Sequence, residues 1–304
     1  MPRAAPRPRP RSRALPFTKM HGCGNDYVYL DGFAGALPRD LGALARAMSD
    51  RHTGVGADGL IALQPSRRAD CRMAMFNADG SESEMCGNGI RCLAKLAYDR
   101  RRVRSPRMAV ETGAGVLAVE LTLRAGAVVG ATVDMGAPRL TPAEVPVTLE
   151  APGPLLRLQA EVEGERLDLI AVGMGNPHAV CFVPDAERVP LARWGPPLER
   201  DPRFPRRVNV EFASLLPDES GLTVVRQRTW ERGSGITRAC GTGACAVAVA
   251  AILSGRIPGR QLIVRLDGGD LRIAWPRDGA GVRMSGEAVT VFSGSWERPG
   301  RRRR

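Results

Sequence analysis

Residues 76–98 read FNADGSESEMCGNGIRCLAKLAY, and the interpretation of the whole chain starts from this stretch. Apolar residues follow the glycines at i, i+3, i+4 and i+7, namely Ile90, Leu93, Ala94 and Ala97. This spacing predicts a helix with one apolar face. Cys86 would stand at its start, where backbone N–H groups lack partners and the helix dipole favours negative charge. We therefore expect a reactive cysteine whose thiolate forms readily.

The same arrangement occurs again in the second half of the chain. Cys240 precedes Gly-Thr-Gly and then an apolar helical face formed by Ala244, Val247, Ala248 and Ala251. The cysteines at positions 86 and 240 lie 154 positions apart in a chain of 304. Asn25 and Asn176, each after a glycine and before a strand-like run, lie 151 apart. This self-similarity predicts a duplicated domain with one active cysteine in each copy.

The formal net charge of +12 is concentrated at the two ends of the chain. Residues 1–13 and 298–304 each carry five arginines and no acidic residue. We predict disordered tails at 1–14 and 298–304, and no specific nucleic-acid partner. The N-terminal tail lacks the apolar segment of a secretion signal. No apolar run is long enough to cross a membrane, so we expect a soluble protein.

Seven cysteines are present, and an odd number argues against a secreted scaffold held together by disulfides. There is no C-x-x-C motif and there are only three histidines, so we expect no metal site. Reduced thiols in a cytoplasmic enzyme are the simplest interpretation.

The alternation of short strands with glycine turns predicts an α+β fold made of two pseudo-symmetric lobes. Each lobe would be a curled, mostly antiparallel sheet around a central helix, with the site in the cleft between the lobes. We place the N-terminal lobe at 15–133, the C-terminal lobe at 134–286, and a returning segment at 287–297. Residues 184–205 are rich in proline and are interpreted as a linker.

Two thiols that approach one small molecule from opposite sides permit three kinds of chemistry. They could form a redox pair, a nucleophile with a resolving partner, or a pair of bases. Inverting a carbon centre requires a base on one face and an acid on the other, and cysteine, with an ordinary pKa of roughly 8.5, suits both roles. The glycine-flanked helix starts favour the two-base pair, because their N–H groups could hold an α-carboxylate and stabilise a carbanion.

Five motifs in consistent order resemble the diaminopimelate epimerase family, whose enzymes act on amino acids without pyridoxal phosphate. They are HGCGNDYVYLDG, FNADGSESEMCGNGIRC, GNPHAV, VNVEF and WERGSGITRACGTGACA. The resemblance covers about residues 15–297. It implies conversion of LL-diaminopimelate to meso-diaminopimelate for lysine and peptidoglycan synthesis, with no cofactor, by a protein that is often a homodimer.

The resemblance also assigns roles to individual residues. Cys86 and Cys240 would be the thiolate–thiol pair. The α-carboxylate cradle would comprise Gly87, Asn88, Gly241 and Thr242. The substrate's amino groups and distal carboxylate would be held by Asn25, Asn77, Asn176, Asn209, Glu231 and Arg232. His178 would support the site by orienting a neighbour. Gly59 occupies a position where some family members have a glutamine that touches substrate.

Several alternatives stay open at this point. A cofactor-independent proline or hydroxyproline racemase would share the fold, although Arg232 and the asparagines suit a second charged amino-acid end. A thiol-redox protein, or an anion binder that uses the arginine tails, would belong to other classes. Locally, Asn25 and Asn176 could be left-handed turn residues, and Glu231 and Arg232 could be a surface ion pair.

Overall fold

A computed structural model describes residues 14–297, so that the predicted tails, apart from residue 14, lie outside the described residues. The first half of the chain alternates strands with two helices. Its elements are β1 Leu15–Gly22, β2 Asn25–Asp31, α1 Leu41–Ser49, β3 Gly59–Gln64, β4 Cys71–Asn77, β5 Glu82–Ser83, α2 Gly87–Asp99, β6 Arg107–Thr112, β7 Gly115–Arg124 and β8 Ala127–Asp134.

The second half repeats this order of elements. Its two helices flank the strands β12, β13 and β14, as α1 and α2 flank β3, β4 and β5. Its elements are β9 Leu158–Val162, β10 Glu165–Gly173, β11 Pro177–Phe182, a 3₁₀ turn at Ala186–Arg188, α3 Leu191–Glu199, β12 Asn209–Glu219, β13 Leu222–Glu231, β14 Gly235–Thr237, α4 Gly241–Leu253, β15 Gln261–Leu266, β16 Gly269–Ala274, β17 Arg283–Glu287 and β18 Val289–Trp296. Within residues 14–297, no helix has the length and apolar character needed to cross a membrane.

All eighteen strands belong to one hydrogen-bonded network. Sixteen of them form a row that is symmetric about its centre, and the short strands β5 and β14 pair with β4 and β13 beside it. From one edge to the middle it runs β18, β1, β2, β3, β4, β6, β7, β8. From the middle to the other edge it runs β17, β16, β15, β13, β12, β11, β10, β9. The parallel pairs β2/β3 and β4/β6 match β11/β12 and β13/β15, and the other pairs are antiparallel. The predicted α+β fold with two related, mostly antiparallel lobes is confirmed.

The two lobes meet where β8 pairs with β17, from Asp134 opposite Arg283 to Gly130 opposite Glu287. The chain then returns to the first lobe, because β18 pairs with β1 and places Trp296 opposite Leu15. The predicted residue boundaries of the lobes stay a prediction.

The central helices α2 and α4 are the most buried elements of the fold. The predicted apolar face of α2 is fully buried, and in α4 every residue from Ala244 to Ala251 is fully buried. One apolar core contains both helices and continues across the lobe junction. Burial on all sides anchors the first turn of each helix firmly, which is where the two predicted catalytic cysteines lie.

The interpretation of 184–205 as a linker is wrong, because this segment contains the 3₁₀ turn and α3. Pro196 and Pro197 lie inside α3, where proline cannot donate a helical hydrogen bond. Leu191 and Leu198 are nevertheless buried, and the ring of Trp194 packs 5.9 Å from that of Phe212. Tertiary packing therefore maintains a helix that the local proline content disfavours.

Candidate active site

Cys86 caps the N-terminus of α2, as its position before Gly-Asn-Gly predicted. Its backbone is extended, and its Sγ accepts a hydrogen bond from the Gly89 N–H at 3.4 Å. The half-buried thiol donates to Oδ1 of Asn25 at 3.3 Å. Burial raises the pKa of the Cys86 thiol, although the Gly89 N–H lowers it. The N–H groups of the helix start therefore favour the thiolate as predicted, while burial of the thiol opposes its formation.

Asn25 is held in one orientation by a carboxylate on its other side. Its Nδ2 donates to Oδ2 of Asp58 at 2.8 Å, so its Oδ1 faces Cys86 and lies 3.5 Å from Nδ2 of Asn88. Asp58 is fixed in turn by Arg51 at 2.8 Å. Sequence reasoning did not identify Asp58, and its only signal was an acidic residue inside the glycine loop GVGADG.

Cys240 caps the N-terminus of α4 in the same way. Its Sγ accepts from the Gly243 N–H at 3.3 Å and lies 3.6 Å from Oγ1 of Thr242. The side chain is buried, unlike that of Cys86. Burial raises the pKa of the Cys240 thiol well above its usual value, and the nearby carboxylates of Glu231 and Glu211 raise it further.

The two helix starts meet at one methionine of β17. A methyl group added at Gly87 would lie 2.6 Å from Cε of Met284, and one added at Gly241 would lie 3.1 Å from its Sδ. The same methyl at Gly241 would lie 3.8 Å from Oδ1 of Asn88. The residues predicted to form the α-carboxylate cradle, including Thr242 in the first turn of α4, therefore converge at the lobe junction.

A buried histidine and carboxylate lie beneath the second helix start. Nε2 of His178 lies 2.9 Å from Oδ1 of Asn176, and its Nδ1 lies 2.7 Å from Oε1 of Glu211. His178 and Glu211 are both fully buried. A methyl group at Gly243 would lie 2.7 Å from the same Glu211 oxygen. Glu211 was missed as a site residue, although a carboxylate within the strand motif VNVEF was a detectable signal.

Asn209, Glu231 and Arg232 lie together at the end of β13. Oδ1 of Asn209 accepts the backbone N–H of Arg232 at 2.8 Å. Glu231 accepts the Thr237 hydroxyl at 2.5 Å, while the Arg232 guanidinium donates to the carbonyl of Arg206 at 2.8 Å. Burial raises the pKa of Glu231. Within the described part of the chain, Glu231 and Arg232 form no salt bridge with each other, so the surface ion-pair interpretation is wrong.

Asn77 makes only local side-chain hydrogen bonds within residues 14–297. Its Nδ2 donates to Oγ of Ser81 at 3.0 Å, and the structure does not link it by hydrogen bonds to the other predicted residues. Asn77 lies opposite Gly59 in the ladder between β3 and β4. A methyl group at Gly59 would lie 2.2 Å from the carbonyl oxygen of Phe76, so this backbone has no room for a glutamine there.

The glycines, and not the asparagines, provide the left-handed turns. Gly24 has a φ of 73° and Gly175 a φ of 92°, while Asn25 and Asn176 have ordinary backbones. The interpretation of these asparagines as left-handed turn residues is therefore wrong, and their side chains face hydrogen-bond partners instead.

All seven cysteines are free thiols, and the five outside the helix caps are buried: Cys23, Cys71, Cys92, Cys181 and Cys245. Across residues 14–297, no cluster of three or more histidine, cysteine, aspartate or glutamate side chains is placed to hold a metal ion.

Comparison with solved structures identifies the fold at low sequence identity. A phenazine biosynthesis protein of the PhzF family from Bacillus anthracis aligns with a TM-score of 0.67 and 15% identity, covering 93% of this chain and 99% of its own. A probable proline racemase from Agrobacterium radiobacter aligns with a TM-score of 0.64 and 16% identity, covering 95% of this chain and 94% of its own. These likenesses establish a shared fold.

Sequence comparison is far more specific. A protein from Desulfovibrio desulfuricans named diaminopimelate epimerase is 51% identical over 288 residues, covering 93% of this chain and 98% of that protein. A Bacillus cereus protein of the same name is 48% identical over 283 residues, covering 92% of this chain and 96% of its own. The profile described as diaminopimelate epimerase matches residues 17–141 and 170–291. The chain therefore belongs to the diaminopimelate epimerase family.

Proposed function

We propose that this protein interconverts LL- and meso-diaminopimelate without a cofactor, with Cys86 and Cys240 as the two bases. The observation that supports this most strongly is the pair of thiols that cap α2 and α4, whose first turns meet at Met284. The relatives named diaminopimelate epimerase support the choice of substrate.

In the proposed reaction, one cysteine acts as a thiolate and removes the α-proton, which turns it into a thiol. The cysteine on the opposite face donates its own proton to the carbanion and becomes the thiolate. The backbone N–H groups at Gly87, Asn88, Gly241 and Thr242 hold the α-carboxylate and stabilise the charge that develops on it. The enzyme ends with the two roles exchanged, so the reaction runs in both directions.

The remaining predicted residues would recognise the rest of the substrate. We propose that the amino groups and the distal carboxylate are bound by Asn25, Asn77, Asn176, Asn209, Glu231 and Arg232. His178 orients Asn176, because its Nε2 lies 2.9 Å from the Asn176 amide oxygen. We also propose a cytoplasmic homodimer in lysine and peptidoglycan precursor synthesis.

The test is incubation with LL-diaminopimelate in D₂O, with a reductant and no added cofactor. We expect α-deuterium incorporation together with meso product. Both should fall by at least about a hundredfold in Cys86→Ala and Cys240→Ala, the lower bound for general acid–base groups. Cys181→Ala removes a buried thiol on β11 that packs in a different apolar cluster from α2 and α4, and the variant should retain activity.

Other results would replace the proposal with a defined alternative. Exchange with proline but not with diaminopimelate would assign the chain to the racemase type, whose solved members share its fold. Exchange with neither amino acid, together with a Cys86–Cys240 disulfide that cycles during turnover, would support thiol-redox chemistry instead.

A further inference from the structure

Arg91 is a fully buried cation in α2 and lies outside the set of residues proposed to bind the substrate. Within residues 14–297 its guanidinium forms no salt bridge, and its hydrogen-bond acceptors are neutral. They are the Glu287 carbonyl at 3.1 Å, the Gly87 carbonyl at 3.2 Å, Asn88 Oδ1 at 3.0 Å, and the sulfurs of Cys23 at 3.8 Å and Met284 at 4.0 Å. The hydrogen bonds of Arg91 are therefore largely satisfied by neutral groups. The nearby carboxylate of Glu287 accepts the Cys23 N–H at 3.3 Å and forms no salt bridge with Arg91.

Two glycines make the space for this side chain. A methyl group at Gly22 would lie 2.8 Å from Nη2 of Arg91, and one at Gly286 would lie 3.0 Å from its Cζ. The backbone of two separate elements, β1 and β17, thus comes close to the guanidinium. Burying a charge without a salt-bridge partner is costly, and an anion bound nearby would offset that cost.

The guanidinium lies one hydrogen bond from the meeting point of the helix starts. Its Nη2 donates to Oδ1 of Asn88, which fixes the amide and directs Nδ2 towards Asn25. The same Oδ1 would lie 3.8 Å from a methyl group at Gly241, in the first turn of α4. Arg91 therefore supports one helix start directly and lies next to the other.

We propose that Arg91 is a positioning residue and the fixed counter-charge of the anion held between the two helix starts. It orients the Asn88 amide, and its charge favours a bound carboxylate, most strongly when negative charge accumulates there as the α-proton leaves. The identity of this anion as a substrate carboxylate depends on the proposed function. The presence of an anion site next to Cys86 does not.

The test compares two alkylating reagents that differ in charge. Iodoacetate is an anion and iodoacetamide is neutral, and in both the Cys86 thiolate forms a carbon–sulfur bond as iodide leaves. Because both reactions need the same thiolate, their rate ratio at Cys86 reports the local potential and not the pKa of the thiol. Rates would be measured by peptide mapping on the folded, full-length wild type and on Arg91→Met, Arg91→Lys and Arg72→Met. Arg72 lies exposed on β4 and serves as the matched surface control.

We expect the ratio of iodoacetate to iodoacetamide rates to fall about tenfold in Arg91→Met, as for unit charges roughly 10 Å apart at an effective dielectric constant of about 20. Arg91→Lys should keep the ratio but lower kcat, since an ammonium cannot hold the Gly87 carbonyl and Asn88 together as a planar guanidinium does. An unchanged ratio in folded Arg91→Met would overturn the proposal. If Arg91→Met fails to fold, a tenfold lower ratio of iodoacetate to iodoacetamide rates in Arg91→Lys, which keeps the charge, would overturn the proposal instead.

Arg72→Met should match the wild type. A wild type that is inactive on diaminopimelate but whose ratio depends on Arg91 would refute the proposed function and leave this inference standing.

Discussion

Cys86 and Cys240 occupy matching positions but differ in their surroundings. Cys86 is half-buried and faces the neutral amide of Asn25. Cys240 is buried, and the carboxylates of Glu231 and Glu211 help raise its pKa. The two thiols are therefore inequivalent in the structure, and Cys240 should hold its proton more strongly.

Glu211→Gln should lower the pKa of the Cys240 thiol, because it removes one of the negative charges that oppose the thiolate. Alkylation of Cys240 by iodoacetamide should therefore reach half its maximal rate at a lower pH. Epimerisation should still fall by about tenfold or more, since a neutral amide no longer fixes His178 as a carboxylate does.

The measurement is the pH dependence of Cys240 labelling, followed by peptide mass. Glu165→Gln changes an exposed carboxylate on β10 and should leave the profile unchanged. A Glu211→Gln profile that moves to higher pH would contradict the assigned electrostatics.

At the scale of single residues, the sequence predicted those site residues that belong to a short local motif. The two cysteines were identifiable because each stands before its own Gly-x-Gly and helix. Asp58, Arg91 and Glu211 were not identified, because their importance comes from burial and from partners distant in sequence. A charged residue inside an apolar segment, as in VNVEF, was the available signal.

The first turns of the central helices are packed so closely that glycine is required. Gly243 follows Cys240 by three residues and donates its N–H to the Cys240 sulfur. A methyl group there would lie 2.7 Å from Oε1 of Glu211, 2.9 Å from Nε2 of Gln227 and 3.1 Å from that sulfur. Each of these three neighbours is buried, so none can move away at low cost.

Gly243→Ala should lower the free energy of unfolding by about 1–3 kcal/mol, the usual cost of overpacking a buried site. It should also reduce activity by displacing the Cys240 cap. Urea denaturation and the deuterium-exchange assay would measure the two effects. Gly35→Ala adds its methyl where no atom lies within 4 Å and should change neither quantity. Equal stability of the two variants would contradict the tight packing.

At the scale of elements, periodicity predicted the central helices and most of the strands. The α3 helix was missed because proline density was read as a linker, whereas burial of Leu191 and Leu198 stabilises it. Strand pairing was not predictable in detail. The contact between β8 and β17 joins residues about 150 positions apart, and no local pattern encodes such a pairing.

The whole molecule buries several thiols that ionise only at high pH. Burial raises the pKa of Cys71, Cys181 and Cys245 to about 12 and that of Cys92 to about 11. In the unfolded chain the same thiols would ionise near pH 8.5, so the folded state retains protons that the unfolded state loses. The stabilisation is complete below that pH and is lost as the pH rises towards 11–12.

The free energy of unfolding should therefore fall by about 1.4 kcal/mol per pH unit for each of these thiols above roughly pH 9. Urea denaturation in reductant between pH 8 and 10.5 would measure the slope. For Cys181→Ala, the free energy of unfolding should fall with pH less steeply than for the wild type, by about 1.4 kcal/mol per pH unit. This difference in slope is expected even if the variant is less stable at pH 8. A slope independent of that substitution would contradict the prediction.

The strand order has a consequence for the ancestry of the chain. If the chain is divided after β9 and not before it, each part contributes eight strands to its own lobe and its ninth strand to the other lobe, since β9 pairs with β10 and β18 with β1. Two copies of a half-length protein connected in this way would be a homodimer that exchanges edge strands. The present chain has the connectivity of such a domain-swapped dimer after gene fusion. A half-length ancestor with this connectivity would have needed a second copy to complete its sheet.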